Sequence, residues 1–267
     1  MEMRTSNPAL KTFEELGEAT AFDQAVDAYG QPSYTGPRPN DDRMTVSGVA
    51  WATGALLVLL LGAAVFGWNS VEASPTGGVD LPGWTYLVAI AGFAVAIGTM
   101  FKPPVARFTA PVYALLEGAF LGSISKAFNE AYDGIVVNAV GLTLGVFAIM
   151  LFLYATRAIR VTNRLRTGIM AATGAVALVY LASFVVHLFG GEFPFIHDSS
   201  ALGIGISLFV VGLAAFNLLL DFDLVERGVE AGAPRHYEWF AAFGLLVTLV
   251  WLYLELLRLL AKLQGRD

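Results

Sequence analysis

The sequence predicts an all-α polytopic membrane protein built as a seven-helix bundle, and three observations support this prediction. First, 56% of the 267 residues are hydrophobic. Second, only 14% are charged, whereas soluble domains carry about 25% charged residues. Third, seven apolar segments each approach the roughly 20 residues that cross about 30 Å of hydrocarbon as a helix. These segments cover residues 46–68, 84–101, 107–128, 135–156, 168–189, 201–220 and 239–263.

The chain divides into a polar arm, a membrane domain and a short tail. Residues 1–43 contain the stretch YGQPSYTGPRPNDD and hold too little apolar surface to fold alone. We therefore expect a mostly disordered cytoplasmic arm, then the seven-helix domain at 44–263 and a tail at 264–267. The N-terminus lacks a charged region followed by an apolar one, so no cleaved signal peptide is expected.

Composition and motifs exclude several functional classes. The chain has no cysteine, which removes disulfides, thiolate nucleophiles and cysteine metal sites. Its three histidines form no HExxH motif, and there is no GxSxG, Walker or dinucleotide-binding motif. The net charge is −6, and no basic aromatic patch suggests a nucleic acid. We expect neither an enzyme nor a bound cofactor.

Lysine and arginine predict the orientation in the membrane. Basic residues precede the first segment and occupy the second, fourth and sixth links, whereas the opposite links carry only Lys126. This pattern places the N-terminus in the cytoplasm, and we expect a multi-pass protein of the cytoplasmic (inner) membrane. Seven spans then place the C-terminus outside, which Arg258, Lys262 and Arg266 oppose. A re-entrant last segment is therefore an alternative, although segment length favours seven spans.

Small and polar residues predict contacts between the helices. Gly118/Gly122 and Gly141/Gly145 have the small-xxx-small spacing that lets two helices approach closely. Asn138 and Asn217 are expected to form hydrogen bonds to neighbouring helices.

Four acidic residues in the apolar segments or directly after them are candidate functional residues, because a carboxylate is costly in lipid. Asp221 follows three leucines near the end of the sixth segment, and Glu255 lies inside WLYLELLRLL of the seventh. Asp223 reaches the membrane interface, where it can equally be a solvated helix-end charge. Glu117 precedes Gly118 in the third segment and can equally bond a neighbouring helix.

Simple geometry opposes direct contact between Asp221 and Glu255. Glu255 follows Trp239 by sixteen residues, which is roughly 24 Å along a helix. The two carboxylates can meet only if the last helix starts later, is displaced in depth, or breaks, for example at Gly244. An ion pair of Glu255 with Arg258, three residues further on, is the alternative.

The stretches YALLEGAFLGSIS, LLLDFDLVE and LYLELLRLLAKL resemble the Bax inhibitor family of membrane proteins (transmembrane Bax inhibitor motif), which includes bacterial YccA-like members. The resemblance covers about residues 44–262. It implies a seven-helix bundle with the last helix at the centre, wrapped by the other six.

The resemblance also implies a function and a site. Family members are regarded as calcium-leak channels or regulators of membrane ion balance and stress, with an acidic pH-sensing pair. The matching positions are Asp221 and Glu255, where Glu255 departs from the aspartate that bacterial members often have. Lys102, after the second segment, matches a basic residue that can latch the acidic site. Arg258, Glu117 and Asp223 are possible supporting residues.

These observations lead to a pH-sensitive calcium or cation leak as the predicted function. Asp221 and Glu255 form the sensor pair on the ion path and are transient Ca²⁺ ligands; protonation closes the path and deprotonation loosens it. With the last helix buried at the centre, as the resemblance implies, the two carboxyl groups are expected within hydrogen-bond or one-water reach of each other. The expected partners are the lipid bilayer and cations. The alternative is a regulatory membrane protein that binds another membrane protein, such as a quality-control protease, through residues 1–43. A small-molecule transporter ranks last, because the charge is concentrated in one helical hairpin.

Overall fold

A computed structural model describes residues 43–73, 79–189 and 200–265. The chain divides into two units, Met1–Arg43 and Met44–Asp267. The arm that was predicted to be disordered lies almost entirely outside the described residues. The following description concerns the second unit.

The second unit is helical, and its described residues include seven helices that are long and apolar enough to cross a membrane. The predicted all-α polytopic fold is confirmed. The helices are α1 Val46–Asn69, α2 Trp84–Phe101, α3 Ala106–Ala131, α4 Ile135–Ala155, α5 Asn163–Leu188, α6 Ala201–Glu230 and α7 Tyr237–Gln264.

Short links join the helices. Strands β1 Glu72–Ala73 and β2 Val79–Asp80 pair in antiparallel register between α1 and α2, with Glu72 opposite Asp80. A 3-10 turn at Pro103–Val105 joins α2 to α3. At the start of α6, the Ser200 hydroxyl accepts a hydrogen bond from the Gly203 N–H, which satisfies one of the free donors at a helix N-terminus.

Helix α7 forms the centre of the bundle, as the predicted fold requires. It packs against α1, α3, α4 and α6, whereas α2 lies on α3 and α5 lies along α6. Leu246, Leu252 and Leu257 of α7 are fully buried. The helix continues through Gly244 without a break. Its 28 residues are long enough for one continuous helix to cross the hydrocarbon layer, as a topology of seven spans requires.

Helices α3 and α7 run in the same direction, as third and seventh spans must. The rings of Tyr113 and Phe243 meet edge to face with centroids 5.1 Å apart. Further along both helices, the hydroxyl oxygens of Ser125 and Tyr253 are 2.6 Å apart. These two contacts fix the relative depth of α3 and α7.

Glycines let α1 and α3 approach until their backbones touch. A Cβ atom on Gly118 would lie 2.2 Å from the Leu60 carbonyl oxygen, and one on Gly122 would lie 1.9 Å from that of Ala64. The predicted close contact at Gly118/Gly122 is confirmed. The Gly141/Gly145 prediction is not, because a Cβ atom on either residue meets nothing within 4 Å.

Helix α6 extends to Glu230 rather than ending near residue 220 as the hydropathy pattern predicted. Asp221 and Asp223 therefore lie inside the helix and not at its end. The physical reason is that Phe222 and Val225 of this part are buried against the core, while its acidic residues find arginine partners on neighbouring segments.

Candidate functional site

Asp221 lies on the face of α6 that meets α7. The Thr248 side chain is close enough to hydrogen-bond the Asp221 carboxyl group. A Cβ atom on Gly244, one turn before Thr248, would lie 3.7 Å from Asp221 Oδ1. The second oxygen, Oδ2, is buried and has no hydrogen-bond partner among the described residues. Asp221 therefore has a spare acceptor inside the bundle.

Asn217 precedes Asp221 by one helical turn and joins α6 to α5. Its Nδ2 group donates to Thr173 Oγ1 of α5 at 2.8 Å and to the Leu213 carbonyl oxygen at 2.9 Å. The expected interhelical hydrogen bond of Asn217 is therefore formed, whereas Asn138 is exposed on α4 and its side chain forms no hydrogen bond with any described residue. Since residues four apart share one face of a helix, Asn217 and Asp221 form a polar strip along α6.

Glu255 lies in α7 with only 1% of its surface exposed. Its Oε1 atom accepts hydrogen bonds from the Tyr180 hydroxyl of α5 at 2.8 Å, from Trp251 Nε1 at 3.2 Å and from an Arg258 guanidinium nitrogen at 2.8 Å. Arg258 also donates to the Tyr180 oxygen at 3.0 Å. The Oε2 atom is buried and without a partner in the described chain. The ion pair between Glu255 and Arg258 is thus present.

The expected direct contact between Asp221 and Glu255 is not formed. Asp221 lies beside Thr248, and Glu255 follows Thr248 by seven residues on α7, which is about 10 Å along the helix axis. Asn217 and Thr173 lie at a depth between them, because α6 and α7 are antiparallel. The two carboxylates therefore occupy separate depths of the bundle, with an amide and a hydroxyl between.

Arginines from the α4–α5 link, the first turn of α5 and α6 itself bind the acidic part of α6. Asp223 pairs with Arg166 of α5 and, at 2.9 Å, with Arg227 one turn later on α6. Glu226 pairs with Arg157 at 3.2 Å and also accepts from the Tyr154 hydroxyl. Asp223 is largely buried in this cluster, so it is not the solvated helix-end charge considered above.

Comparison with known proteins places the chain in a family. A family model described as Bax inhibitor 1 like matches residues 7–265. The chain belongs to the Bax inhibitor 1 like family. A search of curated proteins found no match.

The resemblance implied that Lys102 latches the acidic site of this Bax inhibitor 1 like protein, but no contact between Lys102 and that site is formed in the described part of the chain. Lys102 lies at the C-terminal end of α2, is exposed, and forms no ion pair with any residue that the structure describes. Arg166 and Arg227 bind the acidic end of α6 instead. The sequence carried a signal for this arrangement, since four arginines crowd into the fourth link, at positions 157, 160, 164 and 166.

Glu117 lies at the interface of α3 with α2. A Cβ atom on Gly92 of α2 would lie 3.4 Å from Glu117 Oε2, so the glycine leaves space for the carboxyl group. The contacts between α3 and α7 place Glu117, one turn after Tyr113, at roughly the depth of Thr248. Glu117 is therefore near the level of Asp221 but on another helix.

Glu238 is an ordered acidic residue that sequence reasoning missed. Its Oε1 atom accepts hydrogen bonds from the Thr45 N–H at 3.0 Å and the Thr45 hydroxyl at 2.9 Å. The first turn of α7 thereby caps the start of α1, where a negative charge is favourable. A Cβ atom on Gly48 would lie 2.0 Å from Glu238 Oε1. The sequence signal that could have identified Glu238 is its position as an acidic residue in the first turn of an apolar helix.

Lys262 and Arg258, the two basic residues near the C-terminus that the structure describes, make contacts inside the protein; Arg266 lies outside the described residues. Lys262 is buried and donates to Ser207 Oγ at 2.9 Å and to the Gly203 carbonyl oxygen at 3.2 Å, both in α6. Arg258 is held by Glu255. Because both side chains make contacts inside the protein, their positive charges no longer argue against a topology of seven spans.

The described residues contain no group of three or more histidine, aspartate or glutamate side chains that could hold a metal ion. What they do contain is a series of polar side chains from α5, α6 and α7. Asp221 and Glu255 each present one buried oxygen that has no hydrogen-bond partner within the described part of the chain. This arrangement suits weak, transient contact with a cation rather than permanent chelation.

Proposed function

We propose that this Bax inhibitor 1 like protein is a pH-sensitive leak for calcium or other cations. Asp221 is the carboxylate that the cation meets, and Glu255 is a second titratable position on the path. The observation that carries the proposal is that each has a buried oxygen with no hydrogen-bond partner in the described chain. A buried carboxylate oxygen in a membrane protein is costly unless it serves an ion, a proton or water.

The spacing of polar groups supports a path rather than a single paired sensor. Asp221, Asn217 and Glu255 follow one another in depth along the junction of α5, α6 and α7. Asn217 and Tyr180 connect this junction to α5. A cation can thus exchange between polar groups without crossing a purely apolar layer.

The two carboxylates have different tasks in this proposal. Arg258 neutralises Glu255, whereas no cationic side chain pairs with Asp221 among the described residues. Protonation of Asp221 removes the charge that attracts a cation, so the leak decreases as the pH falls. Protonation of Glu255 weakens its bond to Arg258 and loosens the contact with α5.

We place the protein in the cytoplasmic membrane with its arginine-rich end inside. The links that follow α2, α4 and α6 lie at that end of the bundle, in agreement with the preference for positive charge in the cytoplasm. The cluster of Asp223 with Arg166 and Arg227 then closes the cytoplasmic end.

Calcium flux from reconstituted vesicles tests the proposal. The purified protein should release Ca²⁺ at a rate that changes with pH, and the double variant Asp221→Asn with Glu255→Gln should lose both the leak and its pH dependence. Glu72→Gln is the matched control, because Glu72 is exposed in the β1–β2 hairpin. Equal flux from the double variant and the wild type would reject the mechanism. Absence of flux from the pure protein, with co-purification of a membrane protein that depends on residues 1–43, would support a regulatory role instead.

A further inference from the structure

The arginine link, which covers residues 157–166 between α4 and the first turn of α5, carries two arginines without an acidic partner. Arg157 and Arg166 form the ion pairs with α6 described above. Arg160 and Arg164 are exposed, and neither side chain forms an ion pair or hydrogen bond with any residue that the structure describes. Since α4 and α5 are both membrane-spanning helices, the arginine link lies at the membrane surface. Two guanidinium groups without a counter-charge are therefore at the level of the lipid headgroups.

The backbone of the arginine link is held in place by the protein. Arg157 has a φ of 56°, in the left-handed region where helices commonly end, and its N–H donates to the Tyr154 carbonyl oxygen at 2.9 Å. Ile159 and Val161 pack against the core of the bundle. Arg160 lies between these two anchored residues and is itself exposed. The position of Arg160 is thus fixed before a ligand binds, which reduces the entropy lost on binding.

The first turn of α5 is suited to an anion. Arg164 lies in this turn, where a positive side chain is unfavourable because the helix dipole already places partial positive charge there, and the turn contains no acidic residue. The Thr162 hydroxyl oxygen accepts a hydrogen bond from the Leu165 N–H at 3.2 Å. The N–H groups of Asn163 and Arg164 have no hydrogen-bond partner in the described chain. An anion placed here accepts from these N–H groups and offsets the charge of Arg164.

Apolar groups on the membrane side of the arginine link favour a lipid over a soluble anion. Phe152 of α4 is 65% exposed, and Met170 of α5 is 61% exposed. Gly168 lies one turn after Arg164 on the same face of α5, and a Cβ atom on it would meet nothing within 4 Å. A free phosphate ion contacts the arginines alone. A phospholipid also covers these apolar groups with its acyl chains, and burial of apolar surface contributes to its binding.

We propose that the arginine link binds the headgroup of an anionic phospholipid, with Arg160 and Arg164 as the side chains that contact the phosphate. Guanidinium groups bind phosphate oxygens in a bidentate geometry. Clusters of basic residues directly beside a membrane helix attract anionic lipids. This lipid site is separate from Asp221 and Glu255, and it does not depend on the proposed ion leak.

Lipid binding to the purified full-length protein in a neutral detergent tests the site. The probe is phosphatidylglycerol, compared with zwitterionic phosphatidylcholine, and native mass spectrometry counts the bound lipid over a titration. The wild type should bind phosphatidylglycerol more tightly than phosphatidylcholine. The double variant Arg160→Gln with Arg164→Gln should bind phosphatidylglycerol about tenfold more weakly or worse, because each basic residue near the surface adds to the attraction of anionic lipid. Its binding of phosphatidylcholine should be unchanged.

The double variant Lys102→Gln with Arg107→Gln is the matched control. It removes two exposed positive charges from the link between α2 and α3, at the same end of the bundle. The 3-10 turn in that link already uses the N–H of Ala106, which donates to the Pro103 carbonyl oxygen. The control should keep most of its affinity for phosphatidylglycerol. An equal loss in both double variants would show that total charge alone attracts the lipid, and would overturn the site.

Three further outcomes would also overturn the lipid site. One is wild-type affinity for phosphatidylglycerol in a folded Arg160→Gln with Arg164→Gln protein, and another is equal affinity of the wild type for the two lipids. The third is displacement of phosphatidylglycerol by an equal concentration of inorganic phosphate or glycerol phosphate, which would assign the arginine link to a soluble anion. If the double variant does not fold, the two single variants make the same comparison. Weaker binding in either supports the site, and wild-type binding in both rejects it.

Discussion

The Tyr180 hydroxyl of α5 donates a 2.8 Å hydrogen bond to the Glu255 carboxylate of α7. Helix α5 lies along α6, so this long side chain is what connects it to the central helix at that depth. The guanidinium of Arg258 completes a triangle with the same two groups. The carboxylate that was expected to meet Asp221 is thus engaged with α5 instead.

Replacing Tyr180 by phenylalanine should loosen α5. The variant removes one of the three donors to Glu255 and should lower the free energy of unfolding by about 1 to 2 kcal/mol. Thermal unfolding in detergent, followed by circular dichroism, measures the change. Tyr86→Phe is the control, because Tyr86 is exposed on α2 and should tolerate the loss of its hydroxyl. Equal stability of the two variants would contradict the role of the Tyr180 bond.

The ion pairs at the acidic end of α6 should differ in strength. Arg166→Gln leaves the largely buried Asp223 with Arg227 alone and should destabilise the protein by about 1 to 3 kcal/mol. Arg157→Gln breaks an exposed pair with Glu226 and should cost about 0.5 kcal/mol or less. Chemical or thermal unfolding of both variants makes the comparison. A larger loss of stability in Arg157→Gln than in Arg166→Gln would show that burial does not determine which ion pair stabilises the protein more.

The close approach of α1 and α3 predicts that Gly122→Ala and Gly141→Ala differ sharply in their effect on stability. Gly122→Ala inserts a methyl group against the Ala64 carbonyl oxygen, so the helices must separate, at a cost of about 1 to 3 kcal/mol. Gly141→Ala faces open space and should be neutral or slightly stabilising, because alanine favours a helix. The melting temperatures of the two variants check this. Similar shifts in both would contradict the packing of α1 on α3.

The absence of cysteine from the chain allows a direct test of topology. A single cysteine at Glu72, in the hairpin after α1, should react with a membrane-impermeant thiol reagent in intact cells. A cysteine at Arg160, after α4, should react only once the membrane is broken. The reverse pattern would place the arginine-rich end outside the cell.

Much of the fold is readable from the sequence because lipid allows few solutions. A lipid-exposed backbone must satisfy its own hydrogen bonds, so the apolar segments predict seven helices. The end of α6 was misplaced, since hydropathy alone cannot foresee that Asp221 and Asp223 are accommodated inside a helix. Asp221 lies beside Thr248 of α7, and Asp223 pairs with Arg166 of α5. Both partners lie on other helices, far from the two aspartates in the sequence.

The site was predictable in its acidic members but not in their partners. Asp221 and Glu255 attract notice because each is a carboxylate among leucines. Which groups they meet depends on the relative depth of three helices, and that depth follows from packing that no short pattern encodes. Counting the rise per residue correctly opposed direct contact. Lys102 was chosen from the resemblance alone, and its exposed position at the end of α2 places it outside the acidic cluster.

The separate measurement of two single variants tests the central claim most directly. Vesicles that contain Asp221→Asn should release Ca²⁺ slowly at every pH, because the cation loses its carboxylate. Vesicles that contain Glu255→Gln should still release Ca²⁺ but with an altered dependence on pH, since Arg258 loses its charged partner. Wild-type rates and an unchanged pH profile in Asp221→Asn would contradict the claim that Asp221 is the carboxylate on the ion path.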